Sequence, residues 1–584
     1  MCNVRLTRFR CLFMSNSWFS MLLSVVSFRH ERSLIAGVLL LMVNLGHHAG
    51  AQTVPLKASP IESPPTEEEW IKVPSTERPI IQDYPHAGVV GQPRRITAKQ
   101  NRAPNGHQGP WGDFNYGNGE AAGFGPVGRY GAAAWAEDWS YLRDKSQRTD
   151  FFDPLKFIAL NNSRTIWLTL SGESRLRNWY EEAPFLGRSG KAQSGRFGIR
   201  NLIGADLHLG EHVRFFGQLI NADAGGWKGF GYGSTYRKRL DLQQGFVELK
   251  GKVAGAQTGF MFGRQQFLDA PSYMLYNRET PNVPLSWNGG RFYALWPRIR
   301  VDAYDFVQTK TDSPLMFHNT EDYGRRLYGG NTTMIVPAFS VGGERVHSFL
   351  DLFYIRYRYS SGLSAVPTAA RVLKGTSSRG NLGFRWYGTS ASVEYSVGAL
   401  YQNGTFQYAG TERKSSVRAW AVNTIIGYRH TPSPLHPFLG VQADIYSGGS
   451  DGQNGTVRTY MAPFNPQTNY LDTTTYISPS NLVSLSPVIS ITPWKGFASL
   501  RLKAPFMWRE NANGAIWSSS GPYTFAHAYR GGYVGVVPQA SLTLQINHHL
   551  TWQIYGARFM ASQSLRKAGA QSGSYAQSNV TFRF

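Results

Sequence analysis

From about residue 165 onward, apolar and polar side chains alternate with a period of two, segment after segment. Leu168, Leu170, Gly172 and Leu176 alternate with Thr169, Ser171, Glu173, Arg175 and Arg177. Phe197, Ile199, Ile203, Ala205 and Leu207 alternate with Arg196, Arg200, Asp206 and His208. Val393 to Tyr401, Leu439 to Ile445 and Ala540 to Ile546 repeat the pattern. Successive side chains of a strand point to opposite faces, so each segment predicts a strand with one apolar and one polar face. In the last segment Val580, Phe582 and Phe584 oppose Asn579, Thr581 and Arg583. An outer-membrane barrel would close on such an aromatic-tipped strand, although alone it would serve a soluble sandwich equally well.

The connections separate these readings. Short turns are expected at Gly210-Glu211-His212, Gly251 to Gly255, around Pro297, at Gly388 to Ala391, Thr431 to His436, Pro493 to Gly496 and Asn547-His548-His549. Longer loops fall between them, at about 181 to 195, 223 to 238, 267 to 288, 310 to 324, 360 to 378, 404 to 416, 447 to 480, 509 to 531 and 561 to 574. Strict alternation of short periplasmic turns and long outer loops requires a further strand near Arg325 to Val336. It gives an all-β fold, a transmembrane antiparallel β-barrel of about 18 strands over 165–584, with both ends periplasmic. A barrel of that size is wide enough for an aqueous channel.

Composition agrees: aromatic residues make up 14% and charged residues only 17%, and no stretch after residue 52 has the apolar length of a membrane-spanning helix. The apolar run Leu34 to Leu45 follows Arg29 and Arg32 and precedes Ala49-Gly50-Ala51, the layout of a signal peptide (1–51) cut before Gln52. Met21 would be a more ordinary start for it. Cys2 and Cys11 lie upstream of the cut, which excludes disulfides, thiolate metal sites and cysteine nucleophiles from the mature chain. Residues 52–126 hold eleven prolines, so 52–130 is expected to be a flexible periplasmic segment and 131–164 the lead-in to the barrel. The formal charge of +23 leaves about +19 once the leader is removed, pointing to an anionic partner. Nucleic acid is not expected, since no basic helix, RNP-type strand or finger motif is visible. Lipopolysaccharide and outer-membrane lipid at the rim, or a polyanion in the lumen, remain.

Ordered motifs run along the strands: Glu137-Asp138-Trp139-Ser140-Tyr141-Leu142, Asp150 to Phe157, Gly172-Glu173-Ser174-Arg175-Leu176-Arg177, Gly263-Arg264-Gln265, Asn277 to Val283, Arg379 to Arg385, Val393-Glu394-Tyr395 with Tyr401-Gln402, Ser447 to Asp451 and Ala462 to Pro466. In this order they resemble the alginate export family, outer-membrane barrels that release exopolysaccharide, over most of the chain after about residue 135. The resemblance implies a channel in the outer membrane of a Gram-negative bacterium that passively exports an anionic, alginate-like polysaccharide, with no cofactor. A polysaccharide chain and periplasmic polysaccharide-secretion proteins are the implied partners. Val283-Pro284-Leu285-Ser286 stands where family members often carry basic residues, which leaves selection for uronate polymers open. A general or anion-selective porin for small solutes is the alternative function.

A polyanion moving through a pore needs many weak contacts, and arginine supplies a permanent charge that forks onto carboxylates. By alternation Arg175, Arg177, Arg196, Arg200, Arg214, Arg264, Arg300, Arg385, Arg501, Lys503 and Arg583 face the lumen, Arg278 reaches it from a loop, and Glu173, Asp206, Asp302, Glu394 and Asp444 share it. The competing role for each arginine is a salt-bridge lattice that keeps a polar interior solvated. The basic excess favours an anion path, because a purely structural lattice needs no surplus of one sign. Trp167, Trp179, Trp386, Trp420, Trp508, Trp517 and Trp552 lie near strand ends and suit interface girdles. No Gly-x-Ser-x-Gly elbow, His-Glu-x-x-His helix or phosphate-cradling loop is read, so no enzyme is expected, with a barrel lipase as the remaining enzymatic alternative. His548-His549 reads as a polar turn. Asp451 to Gly455 lacks the carboxylates of a calcium loop.

Overall fold

The computed structural model describes residues 130–584 apart from 131–133, 138, 191–192, 227–231, 268–269, 272, 276–277, 279–281, 297–298, 361–365, 368–371, 391, 431, 450–454, 464–469, 495–496 and 520, together with Ile80–Gln82 and Arg94–Ile96. These last two strands pair antiparallel. The expected signal peptide and the rest of the proline-rich segment lie outside the described residues.

Eighteen antiparallel strands close one barrel. They are β1 (Ile166–Glu182), β2 (Gln193–Leu209), β3 (Val213–Gly226), β4 (Lys238–Val253), β5 (Ala256–Gln265), β6 (Trp287–Leu295), β7 (Ile299–Lys310), β8 (Thr320–Val341) and β9 (Glu344–Tyr359). There follow β10 (Gly375–Thr389), β11 (Val393–Tyr408), β12 (Lys414–Arg429), β13 (Phe438–Tyr446) and β14 (Leu482–Trp494). β15 comes in two pieces, Ala498–Lys503 and Phe506–Trp508, interrupted at Ala504-Pro505, and β16 likewise, Tyr533–Val536 and Gln539–Gln545, around Pro538. Proline cannot donate to the ladder, which accounts for both breaks. β17 (Leu550–Ala561) and β18 (Gly573–Arg583) complete the wall. β18 pairs with β1, Arg583 opposite Glu173, and Phe584 exchanges two backbone hydrogen bonds of 3.0 Å with Gly172.

The expected sorting of connections is present. The further strand required near Arg325 to Val336 is β8, and it turns into β9 through Gly342-Gly343, whose φ values of 59° and 85° suit the two-residue hairpin turn that glycine permits. The connection expected at 404 to 416 shrinks to 409–413, because β11 and β12 remain paired out to Gln407 and Lys414. Of the tryptophans expected in girdles, Trp386, Trp420 and Trp552 are exposed on the outer wall, whereas Trp167, Trp179 and Trp517 are buried. Trp167 and Trp179 have the inward parity of β1; the first stacks on Phe157 and His208, and the second lies against Arg177 and Arg196.

The interior is not an empty pipe. Connections 266–286, 447–481 and 509–532 bring Phe267, Met274, Tyr470, Tyr476 and Ile516 into one buried apolar cluster with the inward-facing Tyr304, Phe306, Phe353 and Tyr357 of the wall. Burying these aromatic side chains stabilises each inward fold by about 1.5–3 kcal/mol per residue.

Candidate functional site: the barrel lumen

The inward charges fall into two groups according to height on the strands. In the half nearer the short turns, arginines pair with carboxylates on neighbouring strands. Arg200 Nε donates to Glu173 Oε1 at 2.8 Å, and Arg583 Nε to Glu173 Oε2 at 2.9 Å. Arg214 is shared between Asp206, at 2.7 Å, and Glu248, at 3.1 Å. Asp302 takes Arg291 at 3.0 Å and Arg300 at 2.6 Å. Arg385 donates to Asp351 at 2.9 Å and Arg429 to Glu394 at 3.0 Å. Near the opposite end Arg196 pairs with Glu181, which also accepts from Tyr476.

In the loop-filled half, Lys238 pairs with Asp241 at 2.9 Å, but four other cations are held by neutral oxygens. Arg379 donates to Gln402 Oε1 at 2.7 Å and to the Thr459 carbonyl at 2.8 Å. Arg509 clasps the carbonyls of Gly514 and Gly531 at 2.8 and 3.0 Å. Lys503 donates to Gln442 Oε1 and the Tyr470 carbonyl at 2.7 and 2.6 Å. Arg278, itself in connection 266–286, donates to the Val283 carbonyl at 3.2 Å. Burial and the neighbouring Arg325 push Arg278 down to about 10, which leaves it charged at neutral pH. Arg379 and Lys503 fasten connection 447–481 to the wall, whereas Arg278 and Arg509 bond carbonyls within their own connections.

Asn282 joins four neighbours through its side-chain amide. Its amide nitrogen donates to the carbonyls of Ile199, Asp223 and Tyr236 at 3.0, 3.2 and 3.1 Å, and its oxygen accepts from Arg175 at 3.0 Å. It is fully buried, so connection 266–286 is tied to β1, β2 and β3 at one point.

At the turn end, the lead-in enters the barrel mouth. The Trp135 ring meets Phe246 edge-on at 6.2 Å, and its carbonyl accepts from Arg214. Thr169 Oγ1 donates to the Lys156 carbonyl at 2.7 Å. The Lys156 ammonium lies over the rings of Tyr130, Trp139 and Phe584; burial pushes its pKa down from the usual lysine range, while Glu137 and Asp153 pull it up. His549 of the β16–β17 turn contacts Asp150 at 3.0 Å and stacks on Tyr130 at 4.7 Å. The polar turn read at His548-His549 is therefore also a clasp for the lead-in.

Of the residues expected to line the path, Arg175, Arg177, Arg196, Arg200, Arg214, Arg300 and Arg385 have inward parity but are buried, as are Glu173, Asp302, Glu394 and Lys503. Arg501, opposite Ser490 and Ser541, is half-exposed. Arg264 departs from the alternation argument: it shares the parity of the exposed Phe260 and Phe262, beyond Gly263 with φ of 133°, and its guanidinium goes to Asn288 Oδ1 and the Leu242 carbonyl, each at 2.9 Å. Arg291, Arg379, Arg429, Glu181, Glu248 and Asp351 were not singled out from the sequence, although Arg379 has the parity of Arg385, six residues on. Gly448-Gly449-Ser450-Asp451-Gly452 does carry the Gly-x-Ser-x-Gly spacing, a correction to the motif reading. It lies in connection 447–481, where the described residues form no helix for an elbow to lead into.

A closed 18-stranded antiparallel barrel with an apolar outer wall and a charged interior defines an outer-membrane β-barrel channel of a Gram-negative bacterium. The alginate export family matches residues 166–579, from the first strand into the last, and the chain belongs to that family. No curated protein sequence matches it. Similar solved structures include Pseudomonas aeruginosa OccK9 (OpdG), 9% identical with a TM-score of 0.48 over 71% of this chain and 98% of that one. Pseudomonas aeruginosa OpdO is 11% identical with a TM-score of 0.46 over 71% and 97%. A BenF-like porin from Pseudomonas fluorescens is 8% identical with a TM-score of 0.44 over 71% and 99%.

Proposed function

We propose that the protein passively exports an anionic exopolysaccharide. The observation that carries this reading is the match to the alginate export family along the whole barrel wall. The neutral-clasped Arg278, Arg379 and Arg509 support it, since they leave positive charge around the inward connections. Buried as most inward arginines are, they act on a passing polymer through their field more than by contact, and a polymer held by no single deep site keeps moving. Lipopolysaccharide at the rim and periplasmic secretion proteins belong to this reading as partners. So do a leader removed before Gln52 and a periplasmic segment 52–130. A mature N-terminus upstream of residue 30, found by intact mass, would remove the leader from it.

Deleting the gene tests the function. Loss of extracellular polymer with solute uptake unchanged is the expected result, restored by the wild-type chain. Altered uptake of small anions with polymer secretion intact would replace export by the porin reading.

A further inference from the structure

The outer wall of β8–β12 carries a basic surface toward the loop ends of its strands. Ladder register aligns Arg326 with Arg358, then Ser378, Thr405 and Ser416. The next row down is Tyr328, Arg356, Gly380, Asn403 and Arg418. Below it comes Tyr354, Leu382, Tyr401 and Trp420, which are 40%, 61%, 48% and 40% exposed. Under that row the wall is apolar through Leu352 and Phe384 down to Trp386 and Tyr428.

From Trp420 to Tyr428 is about 26 Å along the strand, or about 20 Å of thickness at a barrel's usual tilt. The two aromatic levels therefore mark the lipid interfaces, and the arginines stand just above the one on the loop side, where the headgroups of the outer leaflet lie. Arg326 and Arg358 face each other directly across the ladder, an arrangement that like charges disfavour unless an anion joins them. Asp305 holds Arg326 from the β7 side, and Arg356 reaches Ser378 at 3.3 Å. Among the described residues Arg358 and Arg418 have no ion-pair partner, and both are exposed.

We propose that this surface binds the phosphates of a bisphosphorylated glycolipid of the outer leaflet. Arginine forks fit phosphate oxygens, and the aromatic row below packs against the sugar and the first acyl carbons. Charge complementarity and the height above the girdle select the lipid over the exported polymer, whose route lies inside. The site gives the lipopolysaccharide partner of the proposed function a place on the wall and rests on that part of the reading, not on which polymer passes through the lumen.

Native mass spectrometry of the full-length protein with bisphosphorylated lipid A tests it, using R358Q/R418Q, which breaks no ion pair, and R326Q/R358Q/R418Q. R558Q, exposed on β17 away from this surface, is the control, and gel mobility of the unheated protein confirms that each barrel is folded. Retention of lipid A by the wild type and R558Q, at least a fivefold loss in the double variant, a larger loss in the triple one, and weak retention of dephosphorylated lipid A are expected. Equal retention by all variants, or indifference to dephosphorylation, would overturn the proposal. Displacement of lipid A by a uronate oligomer would reassign the surface to the polymer and overturn it as well.

Discussion

Glu173 accepts from Arg200 on the next strand and from Arg583 on the closing strand, so one carboxylate joins three strands at the seam. Glu173→Gln leaves the buried Arg200 and the partly exposed Arg583 short of their anion, a change expected to cost about 3–5 kcal/mol. It should lower the temperature at which the folded band disappears in heat-modifiability gels. The Arg326–Asp305 pair is about half exposed on both sides, and Asp305→Asn should cost under about 1 kcal/mol and leave that temperature nearly unchanged. Glu173, Arg200 and Arg583 were legible from parity alone. Their pairing was not, because it depends on which residue stands opposite on another strand.

Among the elements, connection 266–286 hangs on Asn282, and the lead-in on Trp135, Lys156 and His549. Asn282→Ala removes four hydrogen bonds and leaves buried carbonyls and Arg175 without their partner atom. The connection should detach from β1–β3, raising single-channel conductance at least twofold and exposing the segment to protease. In Trp135→Ala/His549→Ala the lead-in loses the contact of Trp135 with Phe246 and the hold of His549 on Tyr130 and Asp150. Conductance should rise there too, with protease sensitivity shifted to 130–157, which separates the two effects. The sequence marked Asn277 to Val283 as a motif and 131–164 as a lead-in. That both pack inside the barrel could not be read from them, since neither has a period.

At the level of the whole molecule, closure depends on β18 meeting β1, with Phe584 paired to Gly172 and its ring stacked on Phe152 at 4.8 Å. Deleting Phe584 should slow assembly and reduce the folded fraction in outer membranes, measured by the same gel shift. The interior charge belongs to this scale as well. In planar bilayers the open channel is expected to prefer anions, and the preference should fade toward 1 M salt, where screening shortens to about 3 Å. Arg379→Gln/Arg501→Gln should reduce it without unfolding the barrel. A cation-selective wild type would return the inward arginines to a purely structural role.

The strands, their two faces, the alternation of short and long connections and the closing aromatic strand were all determined by the sequence, because side-chain alternation and turn chemistry are local properties. The tertiary structure decided what became of the inward face. Register joined Arg214 to Asp206 and Glu248 and Arg385 to Asp351, burying arginines that parity alone would leave open to a passing chain. Inward folding of three connections placed Arg278, Arg379 and Arg509 on neutral oxygens. Past Gly263, with its φ of 133°, Arg264 reaches Asn288, the Leu242 carbonyl and the buried Asp241. Each of these outcomes depends on residues far apart in the chain meeting across a ladder or a cavity, and such meetings leave no period in the sequence to read.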